Sequence, residues 1–258
     1  MMKNLTINKE KNIGQVLFIV EGSKTEFYIL HKIFTKIFNY QFERITRYKP
    51  YRKYNNKDNP LSRILVINTE ESNIKYIDDK NEYLNDLFKE LIDEYHVRID
   101  NAAIYYIFDR DNHSNTDPEF IDSLLRILKN SRDNDNYYMQ GLLLLSYPCI
   151  ESFTLSNFDD NSYLSSFEKG EKDIKLHLNM NGINQCKINE TSLLKAAQQM
   201  EFALDKLGIK EYDLDEFFPT NIDIFNKQEN LYSINKKYNT LSLLCIALLD
   251  LGLISVED

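Results

Sequence analysis

Much of what would give this chain's chemistry away at once is missing. Its 258 residues include no tryptophan, seven glycines and five prolines, so turn punctuation is sparse. No Gly-rich phosphate loop occurs, which leaves a small-molecule phosphotransferase without support. The three cysteines (Cys149, Cys186 and Cys245) lie far apart with no CxxC pair, against a disulfide framework or a zinc ribbon. Four scattered histidines give no Ser-His-Asp or Cys-His pattern. No apolar run approaches the ~20 residues of a membrane helix. The opening MMKNLTINKEKNIG has no apolar signal core. A cytoplasmic protein with no membrane partner is therefore the expectation.

An excess of positive charge is missing too. Thirty-one Lys and Arg face forty Asp and Glu, a net charge of -9. That argues against a protein that coats nucleic acid. It leaves room for an enzyme that grips nucleic acid locally and keeps carboxylates for cations. Hydrophobic residues make up 43%, enough for a sizeable core.

What is present is a regular alternation over the first 155 residues. Residues 16–20 (VLFIV) form a continuous apolar run that stops at Glu21-Gly22, the pattern of a buried strand. Phe27, Leu30, Phe34, Ile37 and Phe38 follow at helical spacing. Residues 64–67 (ILVI) and 103–108 (AIYYIF) give further strands, with a helix on Leu84, Leu87, Phe88, Leu91 and Ile92 between them. Asp117-Pro118 has the form of an N-cap with Pro at the first helical position. Residues 142–145 make a fourth strand. Such repeats imply an α/β fold with a parallel sheet sandwiched by helices.

In that fold ligands bind beyond the carboxyl ends of the strands. The residues expected there are Glu21, the Asn68-Thr69-Glu70-Glu71 run, Asp109 and Asp111, then Ser146 and Glu151. From 156 onward the pattern becomes helical, with residues 241–253 (LSLLCIALLDLGL) apolar nearly all round. The expected division is residues 1–155 as the catalytic domain and 156–258 as a mainly helical subdomain. The apolar helix belongs either in that subdomain's core or in a homodimer interface.

Asp109 and Asp111 are two residues apart at a strand end, so their side chains project to one side. Carboxylates gathered within ~5 Å repel by roughly 3 kcal/mol per pair at an effective dielectric of 20. A cluster of that kind persists by binding a cation or sharing protons. Oxygen ligands suit Mg²⁺ or Mn²⁺, used to polarise a phosphoryl oxygen and activate water.

These residues also carry a family likeness. Val20-Glu21-Gly22-Ser23-Lys24-Thr25-Glu26 resembles the V-E-G-x-x-T-E opening of Toprim domains in RloB-like and OLD-family proteins. Phe108-Asp109-Arg110-Asp111 is similar to their D-x-D. Tyr147-Pro148-Cys149-Ile150-Glu151 resembles the N-P-x-x-E segment of RloB-like proteins, with Tyr147 standing where that family has Asn. The likeness spans residues 14–155 in order. It implies a Toprim fold in which Glu21, Asp109 and Asp111 bind Mg²⁺ and carry catalysis, with Glu151 as a further ligand; Glu70 is a further candidate ligand from its place after a strand end alone. It implies a metal-dependent nuclease acting on RNA, tRNA included, or DNA in antiviral defence. It also implies an alternative, a non-catalytic module paired with an ABC-type ATPase.

Several neighbouring residues have two readings. Ser23 and Glu26 fit a helix capping box, and Glu26 fits equally a place behind the metal ligands. Lys24 is either a phosphate contact or a solvated lysine. Between Arg44 and Arg63 the charge inverts: Arg44, Arg47, Lys49, Arg52, Lys53, Lys57 and Arg63 face one acid, Asp58. Tyr48, Tyr51 and Tyr54 are interleaved with them. Such a stretch suits phosphate contact and stacking on unpaired bases. The bland alternative is a solvated loop.

Overall fold

A computed structural model of the protein describes residues 4–22, 24–44, 51–68, 82–96, 101–111, 116–132 and 141–257. After β1 (Asn4–Ile7) comes β2 (Gln15–Val20), whose apolar run is buried throughout, as a strand covered on both faces requires. The helix α1 (Thr25–Lys32) runs on into a π-helical turn at Ile33–Ile37. Then come β3 (Tyr40–Arg44), β4 (Arg52–Asn56), β5 (Arg63–Asn68), α2 (Glu82–Asp93) and β6 (Ala102–Asp109). α3 (Pro118–Ile127) starts on its proline, whose missing N–H costs a helix nothing at that point. β7 (Lys129–Asn130) and β8 (Gly141–Tyr147) follow. The remainder holds α4 (Glu151–Phe158), α5 (Glu171–Met180), α6 (Glu190–Lys206), α7 (Phe218–Asn235), β9 (Leu241–Ser242), α8 (Leu244–Asp250) and β10 (Ile254–Glu257).

The protein is α/β, with helices flanking a sheet of order β3-β4-β5-β2-β6-β8-β7, to which β9 adds by pairing β8. β2 runs parallel to β5 and to β6, with Val20 opposite Asn68 on one side and Ile107 on the other. Their carboxyl ends therefore finish in line. The sheet is mixed and not wholly parallel: β3–β4, β4–β5, β7–β8 and β8–β9 are antiparallel. The hairpin of β3 and β4 occupies the stretch read from sequence as a connecting segment. Its residues are polar because it forms one margin of the sheet, where a continuous apolar run is not needed.

The chain separates into two compact units. The first comprises Met1–Lys11, Phe108–Pro118 and Leu144–Asp258, and the second Asn12–Ile107 and Glu119–Leu143. The boundary at 155/156 expected from sequence falls inside the first unit. In the second unit Phe18 stacks on Tyr105 with ring centroids 5.4 Å apart, and Phe34 meets Phe18, Phe38, Tyr40 and Tyr54.

The first unit carries a two-stranded antiparallel sheet of β1 and β10, with Asn4 opposite Glu257. Its helix α6 opens with a capping box: the Asn189 side chain accepts the Ser192 N–H, and the Ser192 hydroxyl accepts the Asn189 N–H. The apolar segment at 241–253 is a strand and then a short helix, and residues 243–249 are buried inside this unit. That burial places the segment in the core and leaves no exposed apolar stripe on α8 for the dimer considered above. Among the described residues no helix is long and apolar enough to cross a membrane.

Candidate metal centre

The two units contribute separate candidate residues. In the second, Glu21 directly follows β2, and its backbone N–H donates to the Ile107 carbonyl at 3.3 Å, carrying the parallel pairing one step further. Gly22 comes next. Glu26 is buried and folds back, its Oε1 accepting the Gly22 N–H at 3.0 Å. A Cβ at residue 22 would lie 2.5 Å from Glu26 Oε2, so glycine is what lets that carboxylate close over the turn. The N-cap of α1 falls on Lys24, without a side-chain cap bond, one residue later than the Ser23 cap expected; Ser23 itself lies outside the described residues. Lys24 is exposed.

In the first unit Asp109 is the last residue of β6. Its Oδ1 accepts the Ile150 N–H at 2.7 Å. That bond ties the strand end to the turn leading from β8 into α4, which carries a cis Tyr147–Pro148 peptide. The Ser152 hydroxyl donates to the Tyr147 carbonyl at 2.7 Å and closes the same turn. The result is a group of three: ligand atoms of Asp109, Cys149 and Glu151 all lie within 4.8 Å of one another. Glu151 is buried in the first turn of α4, where the positive end of the helix dipole favours a carboxylate. Burial, and then the charges of Asp109 and Glu151, push the Cys149 thiol well up.

Lys175 of α5 supplies compensating charge. Its Nζ lies 3.3 Å from Glu151 Oε1 and also pairs with Glu171. Burial draws the ammonium's pKa down, yet the two glutamates outweigh that and raise it above the ordinary lysine value. Asp111 lies beside the turn into α5: a Cβ on Gly170 would sit 3.8 Å from Asp111 Oδ1 and 3.7 Å from Pro148 Cβ.

Between the two aspartates, Arg110 is fully buried. Its guanidinium reaches Glu229: Nε and Nη2 each donate to a Glu229 carboxylate oxygen at 2.9 Å. Of the other expected site residues, Glu70 lies outside the described residues, as do Arg47, Tyr48 and Lys49 of the basic stretch.

The basic stretch is only partly available to a ligand. Arg44 is exposed. Arg52 lies 4.6 Å over the Phe27 ring and donates to the Phe27 carbonyl at 3.3 Å, and Lys53 pairs with Glu43 at 3.1 Å. Tyr51 and Tyr54 are buried, which takes both rings out of any stacking role. Their spacing matched a binding strip, but both rings serve the core.

The donor set tests what ion would suit. The carboxylates of Asp109 and Glu151 fit a hard divalent cation such as Mg²⁺ or Mn²⁺; a thiol suits a softer one. Cys149 is the member that the carboxylate reading overlooked. The available signal was its place two residues before Glu151 in a turn leaving a strand end.

The protein thus defines itself as an α/β chain with a mixed sheet and a buried Asp–Cys–Glu group at the turn between β8 and α4. No family model, curated protein or solved structure matches it.

Proposed function

We propose that the chain is a Toprim-type, divalent-cation-dependent nuclease that hydrolyses phosphodiester bonds in RNA, tRNA included, or in DNA, as an effector of anti-phage defence. The observation that carries this reading is the convergence of Asp109 and Glu151 with Cys149 within 4.8 Å, since carboxylates gathered this closely suit a cation. Asp109 and Asp111 would hold Mg²⁺ or Mn²⁺, with Glu151 as a further ligand, and the family likeness adds Glu21 to that set. When bound, the cation would polarise a phosphoryl oxygen and lower the pKa of an attacking water.

The chain's own groups have distinct tasks in this scheme. Asp109 is fixed in direction by the Ile150 N–H. Lys175 balances the charge of Glu151 and is shared with Glu171. Glu21 would exchange a proton with the leaving oxygen. Lys24 and Arg44, both exposed, are the basic groups free to meet substrate phosphates.

The test is incubation of mixed DNA and tRNA with Mg²⁺ or Mn²⁺, comparing wild type with Glu21→Ala and Asp109→Ala. Cation-dependent cutting should fall at least a hundredfold in both variants. If the wild type cuts neither substrate and calorimetry finds no cation binding, the nuclease reading is wrong. The second reading, a non-cutting module docked to an ABC-type ATPase, draws on the Lys175–Glu151 pair, because an internal ammonium can neutralise the group without any metal. Neither cation binding nor cleavage of either substrate, in a folded chain, would favour it.

A further inference from the structure

Arg110 is a full-size cation with no exposed surface, set between the two aspartates of the D-x-D. Its backbone N–H donates to the Ser146 carbonyl at 2.9 Å, and its guanidinium meets Glu229 through two parallel bonds of 2.9 Å. That fork-to-fork geometry fixes direction as well as distance. Glu229 is fixed in turn, for the Tyr238 hydroxyl donates to its Oε1 at 3.0 Å. The Tyr238 ring lies 5.6 Å from the guanidinium and stacks on Tyr232 at 4.6 Å. One residue before Glu229, Gln228 exchanges two hydrogen bonds with the Asn239 backbone, each of 3.0 Å, which tie α7 to the segment after it.

We propose that Glu229 is a positioning residue for the cation site, holding Arg110 so that the carboxylates of Asp109 and Asp111 keep a fixed spacing. Side chains alternate along an extended chain, so anchoring the middle residue of D-x-D on one side orients both acids on the other. The strand itself ends at Asp109, and the sheet gives Asp111 no register of its own. A hydrogen-bonded guanidinium at the residue between them supplies a constraint on both. α7, which the nuclease reading leaves without a task, thereby acquires one. This inference rests on the reading that Asp109 and Asp111 hold a cation.

The test is Mn²⁺ binding by calorimetry to the full chain, with helical circular dichroism followed through melting for each variant. Asp109→Asn probes the cation site, Glu229→Gln removes the charge that grips Arg110, and Tyr238→Phe removes only one bond to Glu229. We expect Asp109→Asn to abolish binding, Glu229→Gln to weaken it at least tenfold, and Tyr238→Phe to weaken it about threefold while melting within a few degrees of wild type. Wild-type Mn²⁺ affinity in folded Glu229→Gln and Tyr238→Phe, with binding lost in Asp109→Asn, overturns the positioning role alone. Unaltered binding in Asp109→Asn overturns the cation reading and this inference with it. Loss of helical signal in both Glu229→Gln and Tyr238→Phe would make the pair a folding element and also overturn the proposal.

Discussion

The two units solve the problem of a unique interior by different means. The second fills its core with side chains that carry little polarity: Phe18, Phe34, Phe38, Ile19, Ile67 and their neighbours, with aromatic rings in tilted and stacked contact. The first buries Ser152, Ser156, Asn157, Ser162, Ser192, Gln199 and Gln228 beside its leucines, and connects them by hydrogen bonds. Asn157 accepts from Ser192, Ser162 donates to Gln199, and Arg110 meets Glu229. Apolar packing tolerates substitution of similar volume, whereas a polar network demands particular partners. The difference shows where each unit is brittle.

The largest expected effect separates those two kinds of interior. Arg110→Ala should cost about 3–5 kcal/mol, because it strands Glu229 in a largely buried setting. Phe18→Ala in the second unit should cost a similar ~3–5 kcal/mol through the cavity it leaves. The comparison sharpens with a second substitution. Replacing Arg110 and Glu229 together by apolar residues of like volume should restore most of the stability. Urea-unfolding midpoints check all three, and a double variant no better than Arg110→Ala would erase the contrast.

Helix caps come next in size. Asn189→Ala should destabilise by about 1 kcal/mol, since it removes the cap of α6 in the first unit. Lys24→Ala, at the N-cap of α1 in the second unit, should stay within about 0.5 kcal/mol because no side-chain cap bond is lost. Thermal melting distinguishes them.

A smaller effect is confined to the second unit and depends on pH. Burial, with Arg52 and Lys36 nearby, holds His31 below its ordinary value of 6.5. The unfolded chain therefore takes up a proton at His31 before the folded chain does. This contribution to stability is complete above pH 6.5 and declines as pH falls from there toward the lowered folded value. Denaturation at several pH values from 5 to 8 should show a gentler acid-side slope in His31→Gln than in wild type; identical slopes would remove His31 from the account.

The smallest effect is common to both units. Among the described residues the hydroxyls of Tyr106 and Tyr147 are buried without a hydrogen-bond partner. Tyr106→Phe and Tyr147→Phe should each prove neutral to slightly stabilising, within about 1 kcal/mol. A clear loss at one position alone would reveal a polar role particular to that unit.

Legibility in the sequence follows the same divide. The buried strands at 16–20, 64–67, 103–108 and 142–145 could be read because each is a continuous apolar run, and the structure has a strand at each. The hairpin of β3 and β4 could not, since polar strands at a sheet margin lack that signal. β7 and β9 are two residues long, too short for any period to show. Asp109 and Glu151 stood out as acids at strand ends. Cys149 did not, because a solitary cysteine more often signals core than chemistry. The partnership of Arg110 with Glu229 spans 119 positions and leaves no local trace at all.

The pairing of β1 with β10 has a consequence for the order of events during synthesis. Asn4 is made before Glu257 and must wait for it before it can enter its sheet. The first unit as a whole is assembled from three stretches that lie far apart in the chain, whereas the second is complete once residue 143 has been made. Contacts this distant close late, because the entropy of a long loop has to be overcome first. Until then β1 is an unpaired strand on a nascent chain, open to whatever edge it meets first.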